Sequence, residues 1–328
     1  MIVAVDAVGG DFYPQNPVAG ALEALTERPD LKILFVGPEE LIQKELDKHD
    51  YPKDRVLIQN ASQIIGMDES PAHAVKTKTD SSIAVGLALH AKSKCQAFIS
   101  AGNTGALLAA SAFILGRLDG IMRPTISTIY PTVKGIRLLI DAGANLEVKP
   151  EMLVQFAKMG TIYCRDVFGV ENPKVGLLNV GEEAEKGTDI LKKANSLLQE
   201  LPNFVGNIEG RGILLGEADV YVCDGLVGNI LLKFGESLPE AIKLLVGKQV
   251  KSAGLSEEET LKIFSILKKA FAPFEYEHVG GVPFLGVNGI SMVGHGGSPP
   301  VAIKNMILNA VKMAEAKIND KIVASVIN

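Results

Sequence analysis

The chain has 328 residues, above the usual domain length of about 100–150, so it forms either two ordinary domains or one large α/β domain and is no disulfide or metal minidomain. Hydrophobic residues at 47% and charged residues at 22% exclude disorder, and 33 basic against 38 acidic side chains give a net charge of −5, excluding a bulk positive field for nucleic acid. With 12 phenylalanines, 6 tyrosines and no tryptophan, an aromatic platform for single strands is excluded as well.

Met1 leads directly into an apolar run, 2–5, without the basic flank and cleavage site of a signal peptide, so the mature protein is expected to start here. That run reads as a buried strand and ends in Asp6-Ala-Val-Gly-Gly-Asp11. A helix over 17–25, a strand over 32–36 and helices over 38–48 and 81–92 follow; strand 97–100 then ends in Ser100-Ala-Gly-Asn-Thr-Gly105, ahead of a helix over 106–115. Strand 137–140 ends in Asp141-Ala-Gly-Ala-Asn145 before a helix over 150–168, and strand 174–179 ends in Asn179-Val-Gly-Glu-Glu183 before a helix over 189–201. Strand 220–223 ends in Asp224-Gly-Leu-Val-Gly-Asn229, and a helix is expected over 238–247.

This alternation predicts a three-layer α/β/α architecture on a largely parallel sheet, with residues 1–328 as a single large α/β domain. The glycine-rich loops all follow strands, and the edge of an open sheet where strands end is where such folds hold ligands. They are therefore expected to stack at one edge. Uncharged runs at 95–116 and 279–303 are broken by glycine, proline and polar residues, so they read as ligand loops rather than membrane spans.

Residues 248–278 read as a charged helical insertion. Within it Ser256-Glu-Glu-Glu259 is a capping box, and Leu261, Phe264, Leu267 and Phe271 follow at helical spacing with Lys262, Lys268 and Lys269 around them. Such a helix faces the core, a second subunit, or a membrane or acidic partner.

Ser100-Ala-Gly-Asn-Thr-Gly105 ahead of a helix offers backbone amides to a phosphate or oxyanion, or else makes a tight turn. Asp6 and Asp224 accept loop amides or do chemistry. His295 in Val293-Gly-His-Gly-Gly-Ser298 is the candidate for proton transfer or phosphate contact, whereas His49, His73, His90 and His278 read as surface residues. Lys186 points at the anion or pairs with the glutamates beside it. Cys95, Cys164 and Cys223 are expected to be small buried side chains. No P-loop, zinc-protease or aspartate-rich metal motif occurs, and no metal site is expected.

Further segments complete an ordered set: Met67-Asp-Glu-Ser-Pro-Ala72, Lys186-Gly187, Gly206-Asn-Ile-Glu209, Leu232-Lys233, Gly280-Gly-Val-Pro-Phe-Leu-Gly286 and His295-Gly296. Together with the loops above, the chain closely resembles the bacterial phosphate acyltransferases of phospholipid synthesis, which convert fatty acyl-acyl carrier protein and inorganic phosphate into acyl phosphate. It departs from their pattern at Val8, Lys76, Gly212 and Val279. The resemblance implies a fold similar to the isocitrate and isopropylmalate dehydrogenases and to phosphate acetyltransferase, a homodimer and no cofactor. It also implies a cytoplasmic enzyme peripherally associated with the membrane, handing its product to a membrane glycerol-3-phosphate acyltransferase. Under it Leu261, Phe264, Leu267, Lys268 and Phe271 become a membrane or carrier contact.

Phosphate is already nucleophilic at neutral pH, so the protein must position it and stabilise an oxyanion. The expectation places phosphate at Gly102, Asn103, Thr104 and Gly105 with Lys186 and His295 nearby, and has Asn229 or Asn103 donate to the oxyanion. Asp6, Asp141, Asn145 and Asp224 would orient the loops. The alternatives are a coenzyme A-dependent phosphate acyltransferase, a nicotinamide dehydrogenase on the same fold, and a non-catalytic adaptor for acyl carrier protein or membrane.

Overall fold

Short apolar runs with both faces apolar fit interior strands of a parallel sheet, and Val3, Ile33 and Ile99 on one face and Ala4, Leu34 and Phe98 on the other are buried as that requires. The computed structural model describes residues 1–272 and 280–327. Its strands in chain order are β1 (Ile2–Asp6), β2 (Lys32–Gly37), β3 (Val56–Asn60), β4 (Ala97–Ser100), β5 (Thr125–Thr132), β6 (Gly135–Ile140), β7 (Val175–Leu178), β8 (Phe204–Ile208), β9 (Val220–Val222), β10 (Val282–Leu285) and β11 (Ser291–Val293). They join in one sheet of order β3-β2-β1-β4-β11-β10-β5-β6-β9-β7-β8.

The helices are α1 (Gln15–Glu27), α2 (Glu39–Leu46), α3 (Pro71–Thr77), α4 (Ser82–Ala91), α5 (Thr104–Ala110), α6 (Pro150–Phe168), α7 (Asp189–Leu198), α8 (Gly210–Leu214), α9 (Gly225–Ser252), α10 (Glu257–Phe271), α11 (Pro300–Glu315) and α12 (Ile318–Ile327). One core layer gathers Val18, Ile42, Phe156, Leu198, Ile307 and Ile322 from α1, α2, α6, α7, α11 and α12. Opposite it, Ala74, Leu87 and Leu107 of α3, α4 and α5 pack on the other face of the sheet, with Leu232 of α9 against them. These are the three layers expected.

The direction of the strands is not as expected. β3, β2, β1, β4 and β11 run parallel, and β6, β9, β7 and β8 form a second parallel block. Between them β11/β10, β10/β5 and β5/β6 are antiparallel, and three reversals leave the two blocks pointing in opposite directions. The loops after β1, β4 and β11 therefore sit at one edge and those after β6, β7 and β9 at the other, so the loops do not stack at a single edge. The reversing strands β5, β10 and β11 are absent from the sequence reading; β10 and β11 lie in the glycine-rich run taken for loop.

Helix α9 crosses the face of the sheet over β5 and β6. It approaches so closely at Gly228 that a Cβ there would strike the Asp141 carbonyl, and at Gly235 a Cβ would lie 2.9 Å from the Tyr130 hydroxyl. The expected helix 238–247 is the middle of α9, which runs through Pro239 and past residue 248 without a break. The projection is thus a continuation of α9 with α10 folded back on it, Phe264 lying against Gly247. Ser256 caps α10 as expected, its hydroxyl accepting the Glu259 amide at 3.3 Å and its own amide donating to Glu259 Oε2 at 2.9 Å.

The apolar stripe expected on α10 is split. Phe264, Leu267 and Phe271 are half-buried, while Leu261 and Lys268 are exposed. The larger exposed apolar surface belongs to α9, where Leu226, Ile230, Phe234, Leu244 and Leu245 face outward. Among the described residues no helix is long and apolar enough to cross a membrane. His278 and Val279 lie outside the described residues.

The cysteines are all buried, as expected, and burial pushes the Cys95 thiol up to about 11. His49 and His73 are exposed, but His90 is not the surface residue expected. Its Nε2 accepts the Ile290 amide at 2.8 Å and its Nδ1 sits 3.0 Å from the Cys95 carbonyl, so the neutral ring bridges α4 to the starts of β4 and β11. Burial lowers its pKa, against the raising effect of the Cys95 carbonyl. The unfolded chain therefore takes up a proton more readily than the folded one, and the stability the ring contributes is complete above the unfolded pKa of about 6.5 and is lost as pH falls below it. Thermal unfolding between pH 7.5 and 5 should show this decline, and His90→Asn should flatten it.

Candidate active site

On the first side of the site the loop after β4 is fixed from beneath. Asp6, buried at the end of β1, accepts the Ser100 hydroxyl at 2.6 Å, and Ser100 Oγ accepts the Gly102 amide at 2.9 Å. Burial raises the Asp6 pKa, opposed by hydrogen bonds from Ser100, Ser82 and the Val8 amide. Asn103 is held completely: Oδ1 accepts the Ala106 amide at 3.0 Å, capping α5, while Nδ2 lies 3.1–3.2 Å from the carbonyls of Gly66, Met67 and Glu69. With its amide committed to that segment, Asn103 is a clamp rather than the oxyanion donor expected. The Gly102 amide is likewise taken by Ser100, and neither residue lines the cavity described below.

On the second side, the buried Asp141 carboxylate accepts five donors. Oδ1 takes the amides of Ile126, Gly143 and Ala144 at 3.0–3.3 Å, and Oδ2 takes the Asn145 amide at 2.7 Å and its Nδ2 at 2.8 Å. Asn145 Nδ2 also donates to the Pro124 carbonyl at 2.8 Å. Asp224 caps α9, its Oδ1 accepting the Leu226 and Val227 amides, both at 2.9 Å. Asp6, Asp141, Asn145 and Asp224 are all engaged in holding loops, and none of them lines the cavity described below.

The two sides meet over β10 and β5 in a cavity of about 580 Å³, within the usual size of small-ligand sites. Leu108 of α5, Ile126 of β5, Leu232 of α9 and Val282 of β10 give it an apolar wall; Asp11, Thr104, His295, Asn229 and Lys233 supply polar groups. Of the expected site residues, Thr104, Gly105, Asn229 and His295 come together here. Asn229 Nδ2 reaches the Ala142 carbonyl only at 3.5 Å, a long bond that leaves it available to a ligand. His295 Nδ1 accepts the Gly297 amide at 3.3 Å.

Lys186 does not line the cavity. It is exposed in the loop after β7, a strand two places from β6 in the sheet, and its carbonyl accepts Asn179 Nδ2 at 3.0 Å. The reading also missed Asp11, Lys233 and Glu236. The signal for the last two was the spacing of Asn229, Lys233 and Glu236, which puts them on one flank of a helix. It went unused because the helix was expected to begin at 238. Among the described residues no group of three or more His, Cys, Asp or Glu could hold a metal ion.

A model of the family described as "Fatty acid synthesis protein" matches residues 1–321. A phosphate acyltransferase of Halothermothrix orenii is 46% identical over 326 residues, covering 98% of this chain and 96% of that protein. The chain belongs to the phosphate acyltransferase family. A second relative of that name, from Chlorobaculum parvum, is 45% identical and covers 99% of this chain and 98% of its own length. Among solved structures, a phosphotransacetylase from Streptococcus pyogenes aligns with a TM-score of 0.62 at 15% identity, covering 95% of this chain and 94% of that one. A putative 4-hydroxythreonine-4-phosphate dehydrogenase from Salmonella typhimurium aligns with a TM-score of 0.53 at 12% identity, covering 95% and 99%. At such identities the likeness is of fold, and it is the transacylase and dehydrogenase-like fold expected.

Removing the Asn103 side chain leaves the carbonyls of the 66–69 segment and the first turn of α5 without their donor and cap. Asn103→Ala should therefore lower the unfolding free energy by about 1–3 kcal/mol, read by denaturant titration.

Proposed function

We propose that the chain is a phosphate acyltransferase that moves a fatty acyl group from the thioester of acyl carrier protein to inorganic phosphate. The product, acyl phosphate, then serves phosphatidic acid synthesis. The observation that carries this reading is a single cavity joining an apolar wall to polar groups from α5, α9 and the loop after β11, in a chain of this family. A phosphate oxygen attacks the thioester carbonyl, the carbon–sulfur bond breaks in the collapse of the tetrahedral oxyanion, and the thiolate departs with the carrier. Thr104, Gly105 and His295 hold phosphate, and Asn229 Nδ2 donates to the oxyanion, an interaction strongest in the transition state. Leu108, Leu232 and Val282 face the acyl chain.

The outward face of α9 supports a homodimer, because five large apolar side chains on one helix face, each more than half exposed, are unusual on a monomer. Lys268 and Lys269 on α10 favour contact with an acidic carrier or an anionic lipid surface. On this reading the enzyme works in the cytoplasm at the membrane and passes its product to a membrane glycerol-3-phosphate acyltransferase.

Incubation with acyl-acyl carrier protein and phosphate, followed by hydroxylamine trapping, should yield hydroxamate only when phosphate is present. Turnover with acyl-coenzyme A alone would assign the other donor, and binding without turnover would assign an adaptor. Asn229→Ala and His295→Ala should each reduce turnover at least tenfold with folding intact. Phe234→Glu should shift the protein to monomer in sedimentation or size-exclusion measurements.

A further inference from the structure

The reaction proposed above needs a positive charge against the phosphate, and Lys186, the lysine expected to supply it, is outside the cavity. Among the described residues that line the cavity, Lys233 is the one lysine; that lining holds no arginine, and it carries the carboxylates of Asp11 and Glu236. An entering phosphate dianion would meet those carboxylates unless a cation offsets them.

Helix α9 sets Lys233 one turn beyond Asn229 on the same flank, and both line the cavity. In the empty site Lys233 Nζ lies 3.2 Å from Glu236 Oε2, three residues on. That pair is largely solvated, with the lysine side chain 61% and the glutamate 44% exposed, and an exposed pair of this kind is weak.

We infer that Lys233 is the phosphate-binding cation of this site, with Glu236 its resting counter-ion, exchanged for phosphate on binding. This rests on the phosphate acyltransferase reading. It makes Asn229 and Lys233 a two-residue device on a single helix, one turn apart, in which the first meets the oxyanion and the second meets the nucleophile. Phosphate could also reach such a lysine as the phosphodiester of the carrier's prosthetic arm, and the two sources separate kinetically.

In the full-length protein, hydroxamate formation at varied phosphate and varied acyl-acyl carrier protein should show a phosphate KM raised at least tenfold in Lys233→Gln. The KM for the acyl donor should stay within twofold. Lys233→Arg, which keeps the charge, should recover most of the loss, and Glu236→Gln, which frees the lysine, should lower the phosphate KM. Lys192→Gln on α7, the same charge change at a distance, should leave both values unaltered.

In parallel, inorganic phosphate should raise the melting temperature of the wild-type protein in the absence of any acyl donor, and this shift should be lost in Lys233→Gln. A phosphate KM within twofold of wild type in Lys233→Gln, or an increase confined to the acyl donor, would overturn the assignment. A wild-type protein that forms no acyl phosphate, yet shows a Lys233-dependent phosphate shift, would overturn the activity and leave the anion site standing.

Discussion

A carboxylate buried without water is costly unless its oxygens are satisfied, and Asp141 meets that demand with four backbone amides and one side-chain amide. Those bonds tie the start of β5 to the end of β6 and shape the 143–145 turn. The carbonyl of the same residue is where α9 comes to rest, at a distance that only glycine at 228 permits. The position of α9 in turn sets where Asn229, Leu232 and Lys233 stand. The second wall of the cavity thus depends on one residue that never reaches it.

The first wall is built on the same principle with different parts. Asp6 holds Ser100, Ser100 holds the Gly102 amide, and Asn103 holds the 66–69 segment against the start of α5. Ser100 and Asn103 are thereby committed to backbone groups that the folded loop would otherwise leave unpaired, and Asp6 to holding Ser100. The cavity itself is lined by a different set: Thr104 and Gly105 at the first turn of α5, His295 on its glycine loop, and the α9 flank.

Some of this was legible beforehand. The six strands read from the sequence all exist, because a short run of buried β-branched residues between turn-forming glycines and aspartates is a local signal. The cap at Ser256 was legible for the same reason. Strands β3, β5, β8, β10 and β11 were missed: β5 is rich in threonine, β8 and the β10–β11 pair sit among glycines, and β3 and β8 are the outermost strands of the sheet. They owe their place to hydrogen bonds with partners far away in sequence, such as Phe284 to Ile126 and Val293 to Ser100.

The sequence by itself determined the layered α/β/α class, the loops that follow the strands, the buried cysteines and the family. Each of these is written in local periodicity, in turn chemistry or in the order of motifs. Only the tertiary structure decided which loops meet. Strand order depends on non-local pairing, and it sets β7, whose loop carries Lys186, two strands from β6 and away from the cavity. β9, which leads into α9, lies beside β6, so Lys233 comes to line the cavity instead.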